Sequence, residues 1–230
     1  MTSFDLETTT IRHINQALHD ACEGEFSIAS PGGAHALACG LDAPLSVTID
    51  GSVGYYCAGM NQHASVTVGG NAGTGVAENI MSGVVRVRGD ASQSAGASGH
   101  GGLVVIEGNA SARCGISMKG VDIVVGGDIG HMSAFMAQTG NLVVLGDAGH
   151  DLGDSIYEAR IFVRGEVASM GADCVEKPMR TEHLVILSDL LHSSGFKAEA
   201  ADFRRYGSAR KLYSFHVDDV DSASSAKATA

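Results

Sequence analysis

A glycine followed by a small or polar residue recurs every nineteen residues through the middle of this chain. Seven copies are present: Gly51, Gly70, Gly89, Gly108, Gly127, Gly146 and Gly165. Apolar residues lie two and four positions before every copy, and this alternation is typical of a short β-strand with one buried face. Another small apolar residue follows two positions after each glycine, as at Val53 and Ala72. Each repeat therefore predicts one strand and one turn.

A unit of nineteen residues is too short for a βαβ element, which needs a crossover helix, and for a four-stranded propeller blade. It fits one coil of a β-solenoid, whose parallel strands lie about 4.8 Å apart with ladders of identical aliphatic side chains inside. We expect the repeat glycines to supply a positive φ or a close backbone approach at the corners. A phosphate cradle would need a helix after the glycines, and here a strand follows instead. The expected fold is all-β: a parallel β-helix of about seven coils.

Flanking helices are predicted on both sides of the repeats. Residues 8–22 place Ile11, Ile14 and Leu18 on one face, and the segment from Thr181 to Phe196 predicts a second helix that ends at Gly195. The expected organisation is an N-terminal helix and cap (1–35), the β-helix (36–172), a C-terminal helix and extension (173–221), and a mobile tail (222–230).

Charge and composition narrow the possible partners and compartments. The 230 residues carry a formal net charge of −11 at pH 7, which disfavours nucleic acid and anionic membranes as partners. No apolar run is long enough to span a bilayer and no signal peptide is visible, so we expect a cytoplasmic protein. The five cysteines contain no CxxC pair and predict reduced thiols, not a disulfide framework, a zinc site or an iron–sulfur site.

Two rows of polar residues are candidates for metal binding. His131 and His150 take the same place in adjacent coils, so their Cβ atoms should stack about 5 Å apart. No third ligand has a forced position near them, and we interpret the pair as a solvated corner. The polar residues directly after the repeat glycines could suggest a calcium row, but the spacing differs from that of calcium-binding nonapeptide solenoids. We expect them to hydrogen-bond their own backbone as turn residues.

Ser92, Ser94, His100 and Cys114 are the candidates for covalent catalysis. None of them lies in a nucleophile elbow, and no third group is placed to orient a base. We therefore expect no catalytic, cofactor-binding or metal-binding residue on this chain.

An outward position, three residues before each repeat glycine, changes character along the solenoid. It is polar in the first three coils (Thr48, Thr67 and Arg86) and apolar in the last four: Val105, Val124, Val143 and Phe162. These four residues, the outer stripe, should form a continuous apolar strip roughly 15 Å long, which needs a cover. Either the C-terminal helix covers it through Leu184, Leu187 and Leu191, or another subunit docks there. The helix is favoured because it is tethered close by.

Five successive repeats carry a family resemblance: GNAGTGVAENIMSG (70–83), GDASQSAGASGHGG (89–102), GNASARCGISMKG (108–120), GDIGHMSAFMAQTG (127–140) and GDAGHDLGDSIYEA (146–159). They resemble the GXGXG repeat domain of the glutamate synthase large subunit family. Within that family the chain is most similar to B subunits of N-methylglutamate synthase (methylamine–glutamate N-methyltransferase), particularly in residues 40–68 and 153–165. The resemblance covers roughly residues 10–172 and implies a right-handed parallel β-helix.

The resemblance also implies a division of labour within a hetero-oligomer. In the related enzymes a class II amidotransferase-like subunit handles the nitrogen donor, and a subunit carrying FMN and an iron–sulfur cluster completes the synthesis. The β-helix carries no cofactor in them. The expected function is thus a non-catalytic scaffold that bridges those two subunits.

Two alternatives come from other classes of protein. The C subunit of formylmethanofuran dehydrogenase, part of a formyltransferase/hydrolase complex, has similar GDAG repeats and would copurify with a metallo-amidohydrolase. An acyltransferase on a left-handed solenoid would need an aliphatic residue every six positions and an eighteen-residue coil. Glu78 and Asp154 fall where that hexad would want Leu or Ile, and the coil has one residue too many.

Overall fold

A computed structural model describes residues 1–210 of the chain. These residues form one eleven-stranded sheet, two α-helices and a single 3₁₀ turn at Ala200–Asp202. The strands are β1 (Thr2–Asp5), β2 (Gly24–Ala29), β3 (Leu45–Asp50), β4 (Ser65–Val68), β5 (Val84–Val87), β6 (Leu103–Ile106), β7 (Lys119–Val125), β8 (Thr139–Val144), β9 (Arg160–Val163), β10 (Cys174–Lys177) and β11 (Arg204–Ser208). The helices are α1 (Ile11–His19) and α2 (Thr181–Ser194).

Strands β1 to β9 lie side by side in chain order and are all parallel, which confirms the solenoid. From β3 onward the register advances by one repeat per strand, so that Val47 pairs with Val66 and Val66 with Val85. The apolar residues two and four positions before each repeat glycine are buried in one continuous core. A second line of parallel bridges links the residues two positions after the glycines, from Val53 through to Val167. Each nineteen-residue repeat is therefore one coil, and about seven coils stack.

The N-terminal end contains more sheet than the repeats indicate. Strands β1 and β2 precede the first repeat glycine and extend the sheet within residues 1–35. The helix expected in residues 8–22 is present as α1, because the Thr10 hydroxyl accepts a hydrogen bond from the His13 amide at its start. Ile14 and Leu18 of α1 are buried in the main core, as the amphipathic pattern indicates.

The chain reverses direction at the C-terminal end. Strand β11 pairs antiparallel with β9, and β10 pairs antiparallel with β11. Between them α2 ends at Gly195, whose φ of 82° provides the left-handed cap expected there. The tail predicted for residues 222–230 lies outside the described residues, as does the end of the C-terminal extension beyond residue 210.

The repeat glycines are required for close approach more than for backbone freedom. Gly51 has a φ of 139°, whereas the other six have no positive φ and meet the second of the two expectations, a close backbone approach. A Cβ added to Gly108 would lie 2.9 Å from the Gly89 carbonyl oxygen of the preceding coil and closer still to the Asp90 carboxylate. The same obstruction recurs coil after coil, because stacked turns leave no room for a side chain at this position.

Candidate functional site

Helix α2 lies on the outer face of the sheet. The chain enters α2 soon after β10, and the last helical residue, Ser194, accepts a hydrogen bond of 3.0 Å from the Arg86 guanidinium of β5 through its carbonyl oxygen. The C-terminal end of α2 therefore lies at β5.

A second apolar cluster, separate from the main core, fills the space beneath α2. Three residues of the outer stripe, Val124, Val143 and Phe162, are fully buried there. They share the cluster with residues of α2 and of the chain after it: Leu187, Leu190, Leu191, Ala200 and Phe203, with Leu184 and Phe196 partly buried beside them. The fourth stripe residue, Val105, is also fully buried but does not belong to this cluster. The surface that the sequence offers as an interface is thus already occupied within the chain.

The polar residues after the repeat glycines bond between coils. The Asn71 side-chain oxygen accepts from the Asp90 amide at 2.9 Å, and the Asp90 carboxylate accepts from the Asn109 amide at 2.7 Å. The series continues without interruption to the Glu166 amide. The expectation that these side chains would bond their own backbone is wrong, since five of them accept from the equivalent residue one coil later: Asn71, Asp90, Asn109, Asp128 and Asp147. We call this row the Asx ladder.

The candidate histidines lie at equivalent positions of two neighbouring coils, where the Met132 amide donates to the His150 carbonyl oxygen at 2.8 Å. His131 and His150 are exposed, and His150 Nδ1 lies 3.3 Å from the Ser169 hydroxyl. Within residues 1–210 no group of three or more His, Cys, Asp or Glu side chains is arranged to hold a metal ion.

Of the candidates for covalent catalysis, His100 is on the surface and Cys114 is in the interior, where burial raises the pKa of its thiol to about 12. Ser92 and Ser94 are half-buried in the same coil as His100, and no hydrogen bond between the side chains of these four residues forms in the described structure. A thiol with so high a pKa is a poor nucleophile near neutral pH.

The other cysteines are free thiols. Burial also raises the pKa of the Cys57 and Cys174 thiols, to about 11 for Cys174. Cys39 is partly buried and its thiol donates to the Tyr56 carbonyl oxygen at 2.7 Å, while Cys22 is exposed.

An unusual backbone forms one corner of the solenoid. We define the αL corner as the residues four to eleven positions after each of the six glycines from Gly51 to Gly146. In each copy of the corner, the residues five, seven and nine positions after the repeat glycine have positive φ, and most of these residues are not glycine. Those residues are Tyr56, Ala58, Met60, Ala77, Asn79, Ser94, Ser98, Arg113, Ser117, Met132, Ala134, Met136, Asp151 and Ser155.

Hydrogen bonds to both neighbouring coils hold this strained backbone in place. In the first coil the Tyr56 amide donates to Thr74 O, and the Ala58 amide donates in the opposite direction to Leu37 O. The pattern repeats through the following coils. A positive φ costs a non-glycine residue on the order of 1–3 kcal/mol, and stacking must compensate for that cost. Since those compensating bonds come from other coils, a single repeat read alone gives no sign of the conformation.

The αL corner also carries exposed apolar side chains. Tyr55, Tyr56 and Met60 are each about half exposed in the first coil, and Met81, Met136 and Tyr157 are exposed further along. The corner lies away from α2, which packs on the strand face.

Fold and surface together define a parallel β-solenoid whose Asx ladder joins consecutive coils. The amino-acid sequence is similar to that of a known protein. The chain is 60% identical over 226 residues to Protein GlxC of Rhizobium meliloti (strain 1021), and the match covers 96% of this chain and 99% of that protein. The chain therefore belongs to the GlxC protein family. No family model matches it, and no solved structure matches it. No helix within residues 1–210 is long and apolar enough to cross a membrane.

Proposed function

We propose that this chain is a non-catalytic scaffold subunit of a glutamate synthase-type complex, specifically an N-methylglutamate synthase. That complex converts methylamine and L-glutamate to N-methyl-L-glutamate and ammonia. In the proposal the chain bridges a class II amidotransferase-like subunit and a subunit that carries FMN and an iron–sulfur cluster. The resemblance of its coils to the GXGXG domain supports the identity of the complex, and the cytoplasm is the expected compartment.

The observation that carries the scaffold role is what the coils do with their reactive side chains. The Asx ladder uses its carboxylates and amides to join consecutive coils, as where Asp128 accepts from the Asp147 amide at 2.8 Å. Cys57 and Cys114 are sealed in an aliphatic interior. Side chains committed in this way maintain the shape of a stiff solenoid and are not available to a substrate.

Reconstitution of the three-subunit complex from purified proteins tests this proposal. We expect this chain alone to bind no FMN and to turn over no substrate, and the complete complex to form N-methylglutamate when methylamine is supplied. Ammonia and glutamine serve as alternative substrates, and a mixture of the two partner subunits without this chain serves as the assembly control. Turnover by the isolated chain, or copurification with a metallo-amidohydrolase in place of the flavin subunit, would contradict the proposal.

A further inference from the structure

The αL corner is the part of the described surface where exposed apolar side chains concentrate. Helix α2 buries Val124, Val143 and Phe162 on the strand face, so that face offers no comparable surface between β7 and β9. Six exposed large apolar residues share the corner: Tyr55, Tyr56, Met60, Met81, Met136 and Tyr157. We propose that the αL corner is the docking face for a partner protein, one that presents an apolar surface and a basic side chain at the Tyr55–Tyr56 end.

The charge distribution supports a protein partner. Only five of the 48 corner residues are charged, whereas 18% of the whole chain is charged. Depletion of charge combined with enrichment of tyrosine and methionine is typical of the core of a protein–protein interface. Methionine is suited to such a surface because its unbranched thioether adapts to irregular partner shapes.

Aromatic side chains at the start of the corner are held in a fixed arrangement. The His35 ring stacks on the Tyr55 ring with 4.5 Å between centroids. His35 Nδ1 accepts a hydrogen bond of 2.9 Å from the Tyr55 amide, which fixes the histidine ring and places its proton on Nε2 in the neutral form. Tyr55 in turn meets Tyr56 edge-on at 6.5 Å. Aromatic side chains that are ordered before binding lose little conformational entropy when a partner docks.

A carboxylate lies beside this aromatic cluster. Around Gly75, the position of an added Cβ would be 2.6 Å from the Tyr56 ring and 2.9 Å from the Glu78 carboxylate, so ring and carboxylate flank the same piece of backbone. No salt bridge joins Glu78 to another side chain within residues 1–210. A guanidinium or ammonium group over the Tyr56 ring would gain a cation–π contact and an ion pair with Glu78 together.

The net charge favours a different protein over a second copy of this chain. Each chain carries a formal charge of −11, which opposes self-association and attracts a partner with a basic surface. The identity of that partner rests on the proposed function: it is one of the two other subunits of the complex.

The test measures binding of this chain to each purified partner subunit by titration calorimetry. Tyr55→Ala combined with Met60→Ala should weaken binding to one of the subunits by at least tenfold, because both are large, exposed apolar side chains of the proposed interface. Glu78→Gln should weaken it several-fold and should reduce the dependence of binding on salt concentration. Val185→Ala is the matched control, since Val185 is 55% exposed but lies on α2.

Thermal melting of each variant separates lost binding from lost folding, and all three should melt like the wild type. Corner variants that fold and bind both subunits as well as Val185→Ala would overturn the assignment of this face while leaving the proposed function intact. If neither subunit binds the wild-type chain, the proposed function fails and this inference fails with it. Light scattering on the isolated chain tests whether a second copy of the chain occupies the αL corner. A homodimer that Tyr55→Ala dissociates would also overturn the proposal.

Discussion

The outer face of the sheet differs between its two halves although the interior is the same in both. On β2 to β4, which we call the open half, the outward residues Ser27, Thr48 and Thr67 are polar and are exposed or half-buried. On β7 to β9, the covered half, the equivalent Val124, Val143 and Phe162 are buried by α2. The interior positions on either side of these residues stay apolar throughout. The coil geometry thus fixes the inside of the solenoid, while each outward position follows what covers it.

Arg86 marks the boundary between the two halves. Its guanidinium donates to Glu107 at 3.1 Å and to the Ser194 carbonyl oxygen at the end of α2. A cation near the C-terminus of a helix interacts favourably with the helix dipole. The change from polar to apolar outward residues therefore coincides with the end of the helix.

Introducing one carboxylate into each half should give the largest difference in stability between the two halves. Val124→Asp buries an unpaired charge beneath α2 and should lower the free energy of unfolding by at least about 3 kcal/mol. Thr48→Asp is the matched change on the open half, where it should stay within about 0.5 kcal/mol. Urea unfolding of both variants measures the difference. Equal stability of the two variants would mean that α2 does not seal the covered half in solution.

Side-chain truncations on the buried and exposed faces of α2 test whether the helix packs on the outer stripe. Leu187 is fully buried, and Leu187→Ala should cost about 2–4 kcal/mol through lost contacts and a cavity. Val185→Ala, on the exposed face of the helix, should cost less than about 0.5 kcal/mol. Thermal melts of the two variants provide the comparison, and a Val185→Ala loss as large as that of Leu187→Ala would reverse the orientation of the helix.

Two glycines at equivalent coil positions should respond differently to a methyl group. At Gly126, in the covered half, an added Cβ would lie 2.8 Å from the Phe196 ring and closer still to the Glu107 carbonyl oxygen. Gly126→Ala should therefore cost about 1–3 kcal/mol by overpacking. At Gly69, in the open half, the nearest atom is Ile49 O at 3.1 Å, and Gly69→Ala should cost less. Phe196→Ala in the Gly126→Ala background should recover part of the loss, and strict additivity in that double-mutant cycle would argue against contact with the ring.

The smallest effect concerns pH and a carboxyl group at the edge of the covered half. Burial raises the pKa of Asp122, although Asn141 Nδ2 donates to its carboxylate at 2.7 Å. Because the folded protein then binds this proton more tightly than the unfolded chain, stability should fall as pH rises from about 4 through the raised pKa. Asp122→Asn removes that contribution, so its stability relative to wild type should increase over this window. A difference between the two proteins that stays constant from pH 4 to pH 7 would contradict this assignment.

Much of the interior could be predicted from the sequence because each coil repeats the same local requirement. The ladder that contains Val66, Val85 and Val104 follows from the alternation before each glycine, and the end of α2 follows from Gly195. Strands β1 and β2 could not be predicted in this way, because no repeat glycine closes them. Their place in the sheet comes from pairing, of β2 with β3 and of β1 with β2.

The corners were harder to predict because their geometry depends on neighbouring coils. The repeats predict a positive φ or a close approach at glycines such as Gly108, but they do not predict the positive φ that the structure has at Tyr56, Ala58 and Met60 and their equivalents. Local sterics disfavour that choice, and only hydrogen bonds to the adjacent coils compensate for it. The Asx ladder has the same origin, since its acceptors lie nineteen residues from their donors.

The length of α2 limits how many strands the helix can cover. Fourteen helical residues extend about 21 Å, close to the roughly 19 Å that four strand spacings cover from Phe162 on β9, which packs beneath the helix, to Arg86 on β5. An extra repeat inserted among β7 to β9 would join the Asx ladder without difficulty, yet it would push the stack about 4.8 Å beyond the reach of the helix. The same duplication among β2 to β4 would meet no such limit. Growth of this solenoid by repeat duplication is therefore restricted to its open half.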